Sequence, residues 1–73
     1  MNSNQMARIR VFMPDRVPVF RDGMHAPCDL GNGWYEYEVS QQQAQRWESL
    51  SEEQQNELIN ESNKQKRDLR EYL

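Results

Sequence analysis

Alternation of apolar and polar side chains predicts two β-strands. The first covers residues 8–13 and the second residues 33–40, and each has one face that is free of charge. These uncharged faces, which we expect to be buried, consist of Ile9, Val11 and Met13 in the first strand and Tyr35, Tyr37 and Val39 in the second. Trp34 falls on the opposite, wetter face of the second strand, beside two glutamates.

Two glycine-containing turns divide the region between these strands. Asp22-Gly23 is a favoured two-residue hairpin turn, and it predicts an edge strand at residues 17–20 that pairs with residues just after Met24. Residues 24–30 have no clean period and predict a loop or an irregular edge. The turn of residues 31–33 then leads into the second strand, so the pattern predicts a sheet of three or four antiparallel strands.

The period of the apolar residues changes to that of a helix after Ser40. Ser40 and Gln43 have the spacing of a capping box, which predicts a helix that begins at Gln41. The apolar stripe of this helix consists of Ala44, Trp47 and Leu50.

A second capping box, at Ser51 and Gln54, predicts that the helix breaks near Leu50 and that a second helix follows. This helix is predicted to run from residue 52 to about residue 70. Its main stripe consists of Leu58, Ser62, Gln65, Leu69 and Tyr72. Because residues 60–68 contain no apolar side chain, we expect this stretch to be solvated, bound to a partner or frayed.

These elements predict an α+β domain, with a small three- to four-stranded antiparallel sheet followed by a short helix and a longer polar C-terminal helix. Residues 1–6 are expected to be a flexible N-terminus, residues 7–50 the sheet and first helix, and residues 51–73 the second helix, which either packs on the domain or projects from it. The predicted core consists of Ile9, Val11, Val19, Tyr35, Tyr37 and Val39 from the sheet and Ala44, Trp47, Leu50 and Leu58 from the helices.

Composition narrows the class of protein. With 73 residues, the chain is near the size at which one hydrophobic core supplies only about 3–5 kcal/mol. A net charge of −3 favours neither nucleic acid nor a membrane surface as partner. The single cysteine, Cys28, cannot form an internal disulfide, and no window approaches the roughly 18 apolar residues of a membrane span. We therefore expect a cytoplasmic protein with no membrane partner.

The chain contains no motif that predicts catalysis or a cofactor. His25 and Cys28 are its only histidine and cysteine, whereas a structural zinc site needs four ligands. Glu36 and Glu38 have a spacing suited to acid–base chemistry, but the same spacing is typical of an ordinary solvent-exposed strand face. Since so short a chain seldom builds a concave pocket, we expect a protein that is not an enzyme and has neither a cofactor nor a metal.

An apolar cluster at the end of the polar second helix predicts a partner-binding surface. Tyrosine and leucine on a solvated helix resemble the anchors of helix-in-groove recognition, and the open alternative is that they fold back on their own domain. The expected partner-binding residues are Leu58, Lys66, Arg67, Leu69, Arg70, Tyr72 and Leu73. The leading hypothesis is a small protein-binding module, an adaptor or an inhibitor, with a homodimer through this helix as one version.

Nucleic-acid binding is the alternative function, because arginines interleaved with aromatic residues often hold single strands. The candidate residues are Arg8, Arg10, Arg16, Arg21 and Trp34. In the same half of the chain five acidic residues outnumber the four arginines, which favours the interpretation that the arginines protect an exposed sheet edge from aggregation. The same arginines weaken a third hypothesis, an acidic mimic of nucleic acid.

The run from Val39 to Trp47, after a hairpin that contains Asp22-Gly23, resembles the strand-then-helix ending of small accessory proteins encoded by tailed phages and prophages. The resemblance covers about half the chain and consists of capping and alternation. It implies a setting in the host-cell cytoplasm and a role in binding a host or phage protein. It transfers no functional residue.

Overall fold

The computed structural model describes residues 6–21 and 25–73, and it confirms the predicted α+β class. In chain order the elements are β1 (Met6–Phe12), β2 (Cys28–Gly31), β3 (Trp34–Ser40), α1 (Gln41–Ser49), α2 (Glu52–Gln65) and a short 3₁₀ helix, η1 (Leu69–Tyr72). The strands form one antiparallel sheet in the order β1-β3-β2, so β1 and β2 are its edges. Within the two described ranges, no helix combines the length and apolar character needed to cross a membrane.

The two predicted strands pair with each other over seven residues. Ile9 lies opposite Tyr37 and Phe12 opposite Trp34, with no break in register. The residues predicted to face inward are buried in both strands, namely Ile9, Val11, Met13, Tyr37 and Val39; Tyr35 is half-buried. The predicted choice of core face is therefore confirmed.

The predicted edge strand at residues 17–20 is wrong. These residues have no strand conformation, while the proposed turn at Asp22-Gly23 and the start of its partner segment at Met24 lie outside the described residues. The third strand is instead β2, in a stretch predicted to be a loop or an irregular edge. Its register shifts between Asp29 and Gly31, which explains why the sequence shows no clean period there.

Val19, which was predicted to lie in the core, is half-buried and contributes to no part of the buried cluster among the described residues. Pro18 beside it has no amide hydrogen to donate to a strand ladder. Without strand pairing, Val19 does not belong to the buried face of the sheet.

Both predicted capping boxes are present and define where the helices begin. The Gln43 N–H donates to the Ser40 hydroxyl over 3.0 Å, and the Ser40 N–H donates to the Gln43 side chain over 2.9 Å. Ser51 and Gln54 repeat this arrangement at 3.2 and 3.0 Å. Between the boxes Leu50 is extended, with φ −81° and ψ 145°, so two helices with a break at Leu50 are confirmed.

The predicted length of the second helix is wrong, because α2 ends at Gln65. Lys66 adopts the left-handed conformation, with φ 56° and ψ 46°. The Arg67 N–H then donates to the Ser62 carbonyl over 2.9 Å, which is the closure typical of a helix C-terminus. As a result, Leu69 and the residues after it do not continue the helical stripe that begins at Leu58.

The helices and residues 66–73, which we call the C-terminal segment, cover one face of the sheet. No element of the described residues covers the other face, which we call the open face. The buried apolar cluster consists of Ile9, Val11, Met13, Tyr37, Val39, Ala44, Trp47, Ile59 and Leu69. Three predicted core residues, Tyr35, Leu50 and Leu58, are half-buried against it. Ile59 and Leu69 are core residues outside the predicted set. Ile59 is next to Leu58, where the predicted stripe begins, and Leu69 lies beyond the turn at Lys66 that ends the helix.

Candidate functional site

The open face of the sheet carries a pair of aromatic side chains, Phe12 and Trp34, which we call the aromatic pair. Their ring centroids are 4.9 Å apart and their planes are inclined by 41°. The two residues are 48% and 42% exposed. Large apolar side chains that contact each other on an uncovered face form a patch, and such patches often mark binding sites.

The turn of residues 31–33 positions this pair. All three residues have positive φ, between 58° and 92°. The Met13 N–H donates to the Gly33 carbonyl over 2.7 Å. A Cβ atom on Gly33 would lie 2.8 Å from the Cα of Pro14 and 3.1 Å from a ring carbon of Phe12. Glycine at this position therefore lets the end of β1 approach the turn closely.

A shallow pocket of about 250 Å³ extends the aromatic pair towards β2. It is lined by Arg10, Leu30, Gly31, Asn32 and Trp34. Leu30 is also exposed, so three large apolar side chains surround this part of the open face. The patch thus combines an apolar centre with an arginine at its border, a composition that recurs in the energetically important part of protein interfaces.

The charges on the open face are balanced. Arg8 lies opposite Glu38, and Arg10 lies opposite Glu36 with 3.6 Å between Nε and Oε2. His25 Nε2 is 3.4 Å from Glu38 Oε1. Two arginines facing two glutamates produce no concentrated positive potential of the kind that a phosphate backbone requires.

The five residues predicted to bind nucleic acid do not form one surface. Three of them share the open face, namely Arg8, Arg10 and Trp34. Arg16 borders a different groove, beside Asn60 of α2. Arg21 Nη1 forms an ion pair with Glu71 Oε2 at 3.2 Å, next to the C-terminal segment.

The residues predicted to bind a partner are divided between surface and interior. Leu69 and Arg70 are 1% and 5% exposed. The half-buried members are Leu58, Tyr72 and Leu73, and the exposed members are Lys66 and Arg67. Because the chain turns at Lys66, the C-terminal segment packs on its own domain, and Leu69 and Arg70 offer no surface to another protein.

Asp68 and Arg70 form a buried ion pair that the sequence analysis missed. Arg70 Nε donates to Asp68 Oδ1 over 3.0 Å and Nη2 donates to Oδ2 over 2.8 Å. Arg70 also donates to the Glu38 carbonyl over 3.0 Å and to the His25 carbonyl over 2.7 Å. The pair therefore ties the C-terminal segment to β3 and to the segment that precedes β2.

Tyr37 lies beneath this pair in the middle of the sheet. The guanidinium carbon of Arg70 is 5.2 Å from the centre of the Tyr37 ring, and the residue is fully buried. Burial raises the pKa of the phenol well above its ordinary value, and the Asp68 carboxylate raises it further, although Arg70 acts in the opposite direction. At neutral pH Tyr37 is therefore protonated.

His25 and Cys28 lie near the edge formed by β2. Both are exposed, and Cys28 pairs with Glu36 across the sheet. Within residues 6–21 and 25–73, no three histidine, cysteine or carboxylate side chains converge as potential metal ligands.

A groove of about 770 Å³ lies beside β1. Side chains of β1 form one wall, and the end of α1 and the first half of α2 form the other. Its lining includes Arg8, Arg10 and Phe12 on the strand side and Trp47, Glu52 and Ile59 on the helix side. The groove therefore joins the free edge of the sheet to the open face.

Comparisons of the chain with family models, with curated proteins and with solved structures found no match.

Proposed function

We propose that this protein is a small, non-enzymatic protein-binding module, an adaptor or an inhibitor, that binds its partner through the open sheet face. The observation that carries the proposal is the contact between Phe12 and Trp34 on a face that no element covers among the described residues. Aromatic side chains with arginine beside them dominate the binding energy of many protein interfaces. Since Leu69 and Arg70 are interior residues, this face replaces the C-terminal segment as the proposed binding surface.

The charge balance of the face supports a protein rather than a polyanion as partner. The glutamates opposite Arg8 and Arg10 limit attraction for phosphates, yet they leave polar groups around an apolar centre. A protein interface has this organisation, with aromatic residues in the middle and a polar border.

The biological setting follows from the resemblance to phage accessory proteins and stays a prediction. If the chain is encoded by a phage or prophage, the partner is a host or phage protein in the host cytoplasm. A homodimer is the version in which the partner is a second copy of the chain.

Capture of partners from a native lysate, followed by mass spectrometry, tests the proposal. We expect Phe12→Ala combined with Trp34→Ala to abolish capture while the fold is retained, because both side chains are largely exposed. The matched control is Val17→Ala, which shortens a side chain that is 77% exposed and belongs to none of the three strands. Lys66→Ala with Arg67→Ala tests the C-terminal segment. Loss of capture in that variant alone would contradict the proposed surface.

Nucleic-acid binding is the second candidate, and the position of Arg8 and Arg10 beside the aromatic pair is the observation that favours it. Binding of single-stranded and duplex oligonucleotides at increasing salt separates the two functions, because phosphate contacts release counterions. Retention at about 50 mM salt that disappears in Arg8→Ala with Arg10→Ala would support this candidate. No retention dismisses it.

A further inference from the structure

We infer that the partner adds an antiparallel β-strand to the free edge of β1 and that this strand carries acidic side chains at every second position. The inference rests on the proposed function and specifies its partner, a protein segment in extended conformation. Strand addition to an open sheet edge is a general mode of peptide recognition, in which backbone hydrogen bonds supply affinity and alternate side chains supply specificity.

The two edges of the sheet differ in how well they are protected against pairing with another strand. β2 has four residues, ends at a glycine and contains an irregularity in its register. Short strands and bulges discourage further pairing. By contrast, β1 has seven residues with neither proline nor glycine, and its register with β3 is unbroken. Of the described strands, β1 therefore presents the edge that is suited to accept another strand.

The direction of the backbone groups of β1 follows from one hydrogen bond. The Met13 N–H donates to the Gly33 carbonyl, and these residues extend the register of β1 with β3 by one pair. In an antiparallel ladder every second pair is hydrogen-bonded. The N–H and C=O groups of Ile9 therefore face β3, whereas those of Arg8 and Arg10 face the free edge. A strand added there would pair with the backbone of the two arginines.

The groove beside β1 provides space for such a strand. It extends from Arg8 and Arg10 to Trp47 and Ile59 and has a volume of about 770 Å³. An added strand would lie about 4.8 Å from β1. Its inward side chains would contact the helix wall, and its outward side chains would continue the open face.

The side chains of Arg8 and Arg10 specify acidic residues on the added strand. Both arginines point to the open face, and the Arg10 side chain is 71% exposed despite its contact with Glu36. Residues directly opposite each other across two strands interact, and opposite charges stabilise the pair. An aspartate or glutamate opposite each arginine would lie on the open face, and an apolar residue between them would point into the groove.

The β1 strand of a second copy does not fit this edge. In an antiparallel β1–β1 pair with matching faces, a register centred on Ile9 places Arg8 opposite Arg10 of the other copy. Registers centred on Arg8 or Arg10 place that arginine opposite itself. These are the registers that pair five or more residues of β1, and like charges directly opposite are destabilising. Antiparallel β1–β1 pairing is therefore disfavoured, whereas pairing with an acidic strand is favoured.

The test uses two synthetic peptides of the length of β1 in which glutamate alternates with valine. In one peptide the valine amides are N-methylated, and in the other the glutamate amides are. In an antiparallel added strand the glutamates that lie opposite Arg8 and Arg10 form the hydrogen-bonded pairs, so their N–H groups would face β1. We expect the valine-methylated peptide to bind and to shift the amide resonances of residues 8–12 in the ¹⁵N-labelled full chain. The glutamate-methylated peptide should bind at least about tenfold more weakly.

The charge requirement is tested with a valine-methylated peptide that has lysine in place of glutamate, which we expect not to bind. Arg8→Gln with Arg10→Gln should remove the preference between the acidic and basic peptides. Equal binding of the two methylated isomers would overturn strand addition. So would sedimentation of the full chain as a dimer whose dissociation is required for peptide binding.

The failure of this inference can be distinguished from failure of the proposed function. If neither peptide binds while Phe12→Ala with Trp34→Ala still abolishes partner capture, strand addition is wrong and the open face remains the binding surface. If that double variant captures partners as the unmodified chain does, the proposed function itself fails.

Discussion

The guanidinium of Arg70 meets the carboxylate of Asp68 through two hydrogen bonds, of 3.0 and 2.8 Å, inside the domain. Two further hydrogen bonds connect the same guanidinium to backbone carbonyls outside the C-terminal segment. A buried ion pair offsets its desolvation only when all its polar groups are satisfied, and removal of one partner leaves an uncompensated charge. Substitution of Asp68 or Arg70 should therefore lower the stability of the whole domain.

We expect Asp68→Asn to lower the free energy of unfolding by about 3–5 kcal/mol, because it leaves the buried Arg70 guanidinium without a counter-charge. The measurement is the urea midpoint of the full chain. Arg21→Ala is the control, since it breaks the exposed ion pair with Glu71 and should cost less than about 1 kcal/mol. Equal midpoints for the two variants would contradict the proposed role of the buried pair.

The buried Tyr37 should make the protein less stable at alkaline pH. The ordinary pKa of tyrosine is about 10, and the pKa of Tyr37 in the folded protein is higher because of burial and the Asp68 carboxylate. Above about pH 10 the unfolded chain releases this proton while the folded chain retains it. The contribution of Tyr37 to the free energy of unfolding is therefore complete below about pH 10 and is lost as the pH rises through the folded-state pKa.

Tyr37→Phe should remove this part of the pH dependence. At neutral pH we expect it to change the free energy of unfolding by less than about 1 kcal/mol, because the Tyr37 hydroxyl has no hydrogen-bond partner among the described residues. Urea unfolding between about pH 7 and pH 11 tests both statements. Tyr72→Phe is the matched control and should keep the alkaline decline. An unchanged decline in Tyr37→Phe would assign it to another group.

The two tryptophans should differ in their effect on stability. Trp47 is 5% exposed in the core, and we expect Trp47→Ala to cost about 3–5 kcal/mol, which is enough to unfold most of so small a domain. Trp34→Ala removes an exposed ring and its contact with Phe12, at a cost of about 1 kcal/mol. Thermal unfolding of both variants provides the comparison. A midpoint for Trp47→Ala equal to that of the unmodified chain would refute its core position.

The features that the sequence predicted correctly depend on residues close together in the chain. The capping boxes at Ser40 and Ser51 each need a partner only three residues away. The alternation in residues 8–13 likewise identified the buried face without knowledge of the neighbouring strand. For the same reason Trp34 was correctly placed on the wetter face, but its contact with Phe12 was not predicted. That contact depends on a register between strands 22 positions apart.

The features that were missed depend on distant partners or on unusual backbone. A lysine at the end of α2 gave no sign of a left-handed residue, since glycine or asparagine normally marks that position. Ser62 is buried, and its hydroxyl donates to the Arg67 carbonyl. This contact forms only because the chain turns at Lys66, so the sequence of a continuous helix does not predict it. Asp68 was the available signal, because aspartate is a favoured N-cap and its carboxylate here accepts the Arg70 N–H.

The end of α2 can be tested by the sign of one substitution. Lys66 has φ 56° and ψ 46°, a conformation that glycine adopts without the strain felt by other residues. We therefore expect Lys66→Gly to stabilise the chain by about 0.5–1 kcal/mol in urea unfolding. Lys64→Gly, two residues earlier and inside α2, is the control and should destabilise by about 1 kcal/mol. If the helix continued to residue 70, both glycines would destabilise the chain alike, so opposite signs separate the two structures.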